Sequence, residues 1–435
     1  MSRKHSRRTF LHTTAAVGAG YWAAGGVTLA QSTSPNEQIQ FASVGVGGKG
    51  ASDSFDAFKS GKTVAICDVD ESTLGKAALK YKNPQTFYDF RKMLEVMGDK
   101  IDAVTVSIPD HCHAAVAAMA MKLGKHCFVQ KPMTHSIWEA RQLREIAKET
   151  GVATMMGNQG TANDGLRQAA HLLKTGHIGK VSEVHVWTNR PVWPQGIERP
   201  AGQPIPNTLH WYEWLGPAAD RPYNEAYHPF KWRGFWDFGT GALGDMACHT
   251  VNMPYMGLDL RDPISVEAET PGHNKETYPS KAKITFQFPE RNGRAALKFM
   301  WYDGGQFPPQ ELFEGANHSR SETGALVVGD KGKIFSWGDY GEQFEVFGGA
   351  TRPASIEFEK SPGHFEEWVR AIKGGPKATS NFVDYAGPLT ETILLGNLAV
   401  WSGEKVDWDA ETMTAKNKPE LAAIVKPEYR AGYSL

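Results

Sequence analysis

The sequence predicts an α/β protein in two parts: a doubly wound parallel sheet, then an α+β part with a large, mainly antiparallel open sheet. Between residues 39 and 156, short apolar runs alternate with stretches of helical spacing, the pattern of parallel strands buried on both faces. A glycine-rich turn joins the first of these runs to the first helix. Beyond residue 158, strand-like runs instead follow one another with Gly and Pro turns between them. A chain of 435 residues has room for two such domains. With 47 Lys and Arg against 48 Asp and Glu, the net charge of −1 provides no field for nucleic acid or an anionic membrane. Four cysteines are too few for a disulfide framework, and the 13 tryptophans are the one compositional excess.

Residues 1–30 read as an address rather than as part of the fold. Ser6-Arg7-Arg8-Thr9-Phe10-Leu11 precedes a Gly- and Ala-rich apolar run that ends in small residues before Gln31. Paired arginines ahead of such a run predict a twin-arginine export signal and a periplasmic or otherwise exported protein. The alternative is an uncleaved anchor. The run is shorter and richer in glycine than a spanning helix of about 20 residues, and no later segment predicts a span.

Residues 36–157 form the first predicted domain. Run 39–46 leads into Gly45-Val46-Gly47-Gly48-Lys49-Gly50, and helical spacing follows. In a Rossmann-type unit, Gly45 permits the tight turn, Gly47 and Gly48 let a pyrophosphate approach the backbone, and Gly50 lets the helix lie close on the strand. A second apolar run, 63–67, ends in Asp68, where a carboxylate would accept both ribose hydroxyls and repel a 2′-phosphate. The predicted cofactor is therefore NAD rather than NADP. Strands at 101–108 and 126–129 end in Pro109-Asp110-His111 and Gln130-Lys131-Pro132, and in doubly wound sheets such ends face the ligand.

The glycine turn, the acid after the second strand, the Pro-Asp-His turn and the Lys-Pro after the fifth strand together resemble the Gfo/Idh/MocA family of oxidoreductases, which includes glucose-fructose oxidoreductase and inositol dehydrogenase. The resemblance implies that Lys131 lies beside the nicotinamide and the substrate hydroxyl. Gln130 stands where the family motif has Glu. An amide there removes a partner that would hold the ammonium charged, leaving the protonation state of Lys131 open. Gly241-Ala242-Leu243-Gly244-Asp245-Met246-Ala247-Cys248-His249 resembles the family's substrate-domain helix. Asp245 and His249 share one helix face at i, i+4; the resemblance implies that His249 is the general base or acid and that Asp245 binds and orients the substrate.

Residues 158–435 form the predicted second domain, for substrate binding and oligomerisation, with its last helices packing back on the first. Strands are predicted at 181–188, 264–268, 282–288, 295–301, 325–328 and 344–347, and helices at 365–372 and 389–400. One face of that sheet predicts a homodimer or homotetramer. Asn158 and Gln159 follow a short strand and are placed to line the cleft, Gln159 toward the cofactor. The tryptophans crowd residues 187–236 beside Arg190, His228 and Arg233. Aromatic faces next to polar groups suit sugar rings, which makes Asn158, Arg190, Trp193, His228, Arg233 and Trp236 substrate candidates. The competing reading of the aromatics is a loop core or subunit interface. His111, Cys112 and His113 cannot all converge on one point, and no metal is expected.

An exported enzyme cannot exchange its nicotinamide cofactor with the cytoplasmic pool, so export of a folded protein predicts a tightly held cofactor restored within each cycle. The functional expectation is an exported oxidoreductase acting on a sugar, polyol or glycoside hydroxyl. Two alternatives remain: a redox-neutral glycosidase, lyase or epimerase working through a transient keto sugar, and a non-catalytic NAD- or sugar-binding protein.

Overall fold

The computed structural model describes residues 38–435; the export segment 1–30 lies outside the described residues. Six parallel strands form the first sheet: β1 (Gln40–Val44), β2 (Lys62–Cys67), β3 (Gln85–Phe87), β4 (Ala103–Val106), β5 (His126–Val129) and β6 (Thr154–Met156). Their spatial order is β3-β2-β1-β4-β5-β6, so chain direction across the sheet reverses between β1 and β4. That reversal opens a crevice at the carboxyl ends of those strands. Three of the helices begin where polar side chains take up free N–H groups. Asp70 accepts from Ser72 N, Asp89 accepts from Arg91 N, and Ser136 forms a reciprocal capping box with Glu139 ahead of the Ile137–Thr150 helix.

The second sheet has nine strands. The chain continues with β7 (Val181–Trp187), β8 (Ser265–Glu269), β9 (Lys283–Phe288), β10 (Leu297–Tyr302), β11 (Gly324–Gly329), β12 (Lys333–Trp337), β13 (Gln343–Phe347), β14 (Val406–Asp409) and β15 (Thr414–Ala415). They order as β13-β12-β11-β7-β10-β9-β8-β14-β15, and β7 with β10 is the one parallel pair. One face belongs to the main core through Phe286, Phe299 and Trp301. Over β7, β10, β11 and β12 the other face is covered by the chain's own segment around Phe307, Leu312 and Phe313, packed on Trp187, Tyr302 and Phe335.

The two sheets share helices. The His364–Ile372 helix returns to the first sheet, where Phe365 and Trp368 pack on Phe41 and Phe128. The Gly387–Ser402 helix is buried almost all round and packs against both the Ile137–Thr150 and Gly241–Thr250 helices. One continuous core therefore ties the crevice of the first sheet to the helix carrying Asp245 and His249.

Candidate active site

The glycine turn is built as a cradle. Gly45 has φ +80°, and a Cβ on it would lie 2.2 Å from the Ser107 carbonyl oxygen, so only glycine fits there. The Gly48–Ser60 helix starts at Gly47 without a side-chain cap, which leaves its first N–H groups for an anion. Asp68 ends β2, and burial raises its carboxyl above the ordinary value. Its two oxygens each accept one backbone N–H, from Val46 at 2.9 Å and Asp70 at 3.0 Å. A carboxylate has about four acceptor positions, so two remain for a diol. The uncapped helix start and the half-satisfied Asp68 fit the pyrophosphate and ribose of a dinucleotide. Pro109, which precedes the Asp110–Lys122 helix, and Gln130 stand at the ends of β4 and β5 in the same crevice.

Lys131 follows directly and reaches across to the second half of the chain. Its Nζ donates to Asp245 Oδ1 at 2.7 Å and to the Asp245 carbonyl at 2.9 Å. Asp245, from another element, supplies the ammonium with the carboxylate partner that Gln130 does not provide. Burial opposes the Asp245 charge, but Lys131 and Arg233 outweigh it and hold the carboxyl well below its usual range. Arg233 Nε lies 3.2 Å from the same Asp245 oxygen, and its Nη1 donates to both oxygens of Asp110 at 2.8 and 2.9 Å. Asp110 is fully buried and also accepts from Thr240 Oγ1 at 2.6 Å. Burial works against the guanidinium too, yet Asp110 and Asp245 raise its affinity for the proton. Lys131, Asp245, Arg233 and Asp110 thus form one alternating chain of charge, in which each buried group has an opposite neighbour.

His249 lies one turn beyond Asp245 on the Gly241–Thr250 helix. The entry to that helix is tight: Gly241 has φ +64°, and a Cβ there would stand 2.8 Å from the Tyr278 ring. The His249 imidazole is pushed well below its ordinary value by burial, with the positive charge of Lys131 adding to the effect. Its Nδ1 is buried with no hydrogen-bond partner among the described residues. Tyr340 meets the ring edge-on with centroids 4.9 Å apart, and Gln159 lies at the Tyr340 hydroxyl. Tyr340 comes from the turn between β12 and β13, a hairpin that the sequence reading had not resolved. The strand signal was there in Lys333-Ile334-Phe335-Ser336-Trp337.

The remaining candidates divide. Trp193 stays with the charge chain, its ring 5.8 Å from the Arg233 guanidinium. Arg190 pairs with Asp339 at 3.2 Å, next to Tyr340. His228 goes elsewhere, 4.0 Å from Asp70 and close to Asp68 at the ribose end, rather than joining Lys131. Three candidates have their polar groups engaged by the protein. The His111 ring nitrogens point at the carbonyls of Phe238 (3.2 Å) and Trp214 (3.0 Å), and burial drives its pKa down to about 3. Asn158 is buried, with its oxygen accepting from Ser380 and its nitrogen 3.5 Å from the Cys248 carbonyl. Trp236 packs on Tyr278 with ring centroids 3.7 Å apart and planes tilted by 30°, and donates to the Thr277 carbonyl, lining a separate cavity of about 240 Å³ with Glu139 and Trp401. Three of the tryptophans between residues 187 and 236 are loop core, because Trp211, Trp214 and Trp232 join Tyr223, Tyr227, Phe235 and Phe238 in one buried cluster. His113 bridges the Pro132 and Ile108 carbonyls, as a packing residue would.

Fold and site together define a dinucleotide-binding α/β protein with a buried, charged centre contributed by both of its sheets. Residues 39–158 match the sequence model of the oxidoreductase family's NAD-binding Rossmann fold, and residues 170–435 match that of its C-terminal alpha/beta domain. The chain belongs to the Gfo/Idh/MocA oxidoreductase family. It is 28% identical over 195 residues to scyllo-inositol 2-dehydrogenase (NAD(+)) of Bacillus subtilis, covering 38% of this chain and 54% of that one. It is 30% identical over 178 residues to a glycosyl hydrolase family 109 protein of Saccharopolyspora erythraea, covering 34% and 38%. The matched segments thus span about half or less of these curated relatives. Among solved structures, the WlbA dehydrogenase of Bordetella pertussis, in complex with NADH and UDP-GlcNAcA, has TM-score 0.60 at 16% identity, over 86% of this chain and 99% of that one. The aldose-aldose oxidoreductase of Caulobacter crescentus has TM-score 0.58 at 16% identity, over 85% of this chain and 99% of that one.

Proposed function

We propose that this protein is an exported oxidoreductase that acts on a hydroxyl of a sugar, polyol or glycoside and keeps its NAD tightly bound. The observation that carries this reading is the Lys131–Asp245 ion pair, with a neutral histidine one turn away. Bound NAD supplies the hydride acceptor. Gly45, Gly47, Gly48 and Gly50 would hold its pyrophosphate, Asp68 its ribose, and Pro109 and Gln130 the walls of the crevice.

The protein's own groups then divide the work. Asp245 stays ionised and fixes the Lys131 ammonium. That ammonium polarises the substrate hydroxyl and stabilises negative charge developing on its oxygen. His249 is neutral at physiological pH and carries an unpartnered Nδ1, so it can take the hydroxyl proton and later return it. Arg233 and Asp110 prevent Asp245 from turning away. Trp193 and Arg190 border this centre and are the strongest substrate-facing candidates of the aromatic segment.

The twin-arginine pair Arg7-Arg8 supports export of a folded, cofactor-loaded protein. Its four cysteines, all free and buried, are compatible with folding in a reducing compartment. A retained cofactor favours oxidation of one substrate coupled to reduction of another. It equally admits a redox-neutral cycle, a second reading favoured by the similarity to the glycosyl hydrolase family 109 protein. A homodimer or homotetramer through the part of the second sheet's outer face over β8 and β9, which segment 307–313 leaves open, completes the proposal. Denaturing the purified protein and examining the supernatant tests the reading: a released nicotinamide nucleotide is expected. A chain that neither releases one nor binds added NAD would contradict it.

A further inference from the structure

Asp53 lies in the second turn of the Gly48–Ser60 helix, beneath the glycine turn, and is 2% exposed. Three side chains from three different segments donate to it. Lys49, in the first turn of the same helix, reaches Oδ1 at 2.5 Å. Ser107, just past β4, donates to Oδ2 at 2.8 Å, and Gln130, just past β5, donates to Oδ2 through Nε2 at 2.9 Å. The turns after β1, β4 and β5 rim the crevice at the reversal of the sheet, and one carboxylate joins all three. The other end of the Gln130 amide accepts from the Lys131 backbone N–H at 3.3 Å. The amide is also wedged against Gly157, where a Cβ would come within 2.4 Å of Nε2. Its orientation is therefore fixed, with nitrogen to Asp53 and oxygen to Lys131.

We infer that Asp53 is a positioning residue for the cofactor crevice: its carboxylate locks the glycine turn, the Ser107 turn and the Lys131 turn together, and residue 130 must be a neutral donor because Asp53 already holds the one negative charge of this spot. This rests on the proposal that the crevice binds NAD. An acid at position 130 would bring a second carboxylate to about 3 Å from Asp53 Oδ2, while the single ammonium of Lys49 lies on Oδ1, and such pairs keep one proton. The groups facing Asp53 are Lys49, Ser107 and Gln130, and the charge of Lys49 is felt in turn by His364, which burial keeps neutral with a pKa of about 4.

NADH affinity of the charcoal-treated full-length protein, followed by fluorescence across pH, tests the inference, with urea midpoints recorded in parallel to separate binding from folding. Asp53→Asn is expected to weaken NADH binding about tenfold. Gln130→Glu is expected to weaken it by a similar factor at neutral pH and to regain affinity as pH falls and the carboxylate pair takes up its shared proton. The double variant, which moves the charge across the same contact, is expected to bind within about threefold of the unaltered protein with a flat pH profile. A Gln130→Glu protein that binds as tightly as the unaltered one at every pH, or a double variant no better than the weaker single one, would overturn the inference. Failure of the unaltered protein to bind NADH would overturn it together with the proposed function, whereas intact binding without the swap pattern would overturn this inference alone.

Discussion

Two regions of the second half pack against the same helix, Asp110–Lys122, and do opposite things. Along one, Arg233 and Asp245 meet Asp110 and Lys131 in a chain of alternating buried charge. Along the other, Trp214 and Phe238 surround His111, which burial keeps uncharged, and join Trp211, Trp232 and Phe235 in an apolar cluster. Both regions exclude water. The first uses that exclusion to strengthen electrostatics around a reacting group, and the second uses it only to hold a loop in place. Abundance of a residue type therefore says little about chemistry here: the tryptophans are many and mostly structural, while the reactive centre rests on a handful of charges.

The sharpest way to separate the regions is to remove the lysine. Lys131→Ala is expected to lower turnover on the order of ten-thousand-fold while NADH affinity stays within about threefold, read by steady-state rates and fluorescence titration. Arg233→Ala leaves Asp110 buried without its partner and is expected to cost about 3–5 kcal/mol in urea unfolding, with turnover of the folded fraction reduced because Asp245 is released. Trp214→Ala, on the apolar side, is expected to cost about 3 kcal/mol of stability, with turnover per folded molecule unchanged. A loss of turnover in that variant comparable to that of Lys131→Ala would erase the distinction.

Acid provides a smaller and more distributed test. His111 titrates in the folded protein only at about 3 and His364 at about 4, both lowered mainly by burial. The unfolded chain takes up these protons near 6.5, so the stability associated with neutral imidazoles is complete above that pH. It declines as pH falls below 6.5, until each folded value is reached. Each group contributes up to about 1.4 kcal/mol per pH unit in that window, measurable as falling urea midpoints between pH 6.5 and 4. His249 shifts in the same direction, so the acid limb of turnover is expected below the usual histidine range.

Sequence reading reached the architecture because the glycine turn and the two hydrophobic patterns are local signals. It passed over β3, β14 and β15, which span three, four and two residues, too few for alternation to register. Lys131, Asp245 and His249 stand out in the sequence because each sits in a compact motif, and the structure pairs the first two and places the third one turn along the same helix. Asp110's partnership with Arg233 was not, for it spans 123 positions, and neither was Tyr340, which a hairpin brings to His249. That His228 and Trp236 lie away from Lys131 is hidden for a related reason. Aromatic and polar residues alternate in that segment without periodicity, so nothing local distinguishes a sugar platform from the core of a folded loop.

Whether Lys131, held by Asp245, acts on a substrate hydroxyl beside bound NAD is decided by single-turnover absorbance of the NAD-loaded protein against a panel of sugars and polyols, run beside Lys131→Ala. At least one substrate is expected to raise the NADH band, either lastingly or as a transient that decays within the cycle, while the variant leaves the band flat with its nucleotide still bound. The same rise in the Lys131→Ala protein, at an undiminished rate, would contradict it.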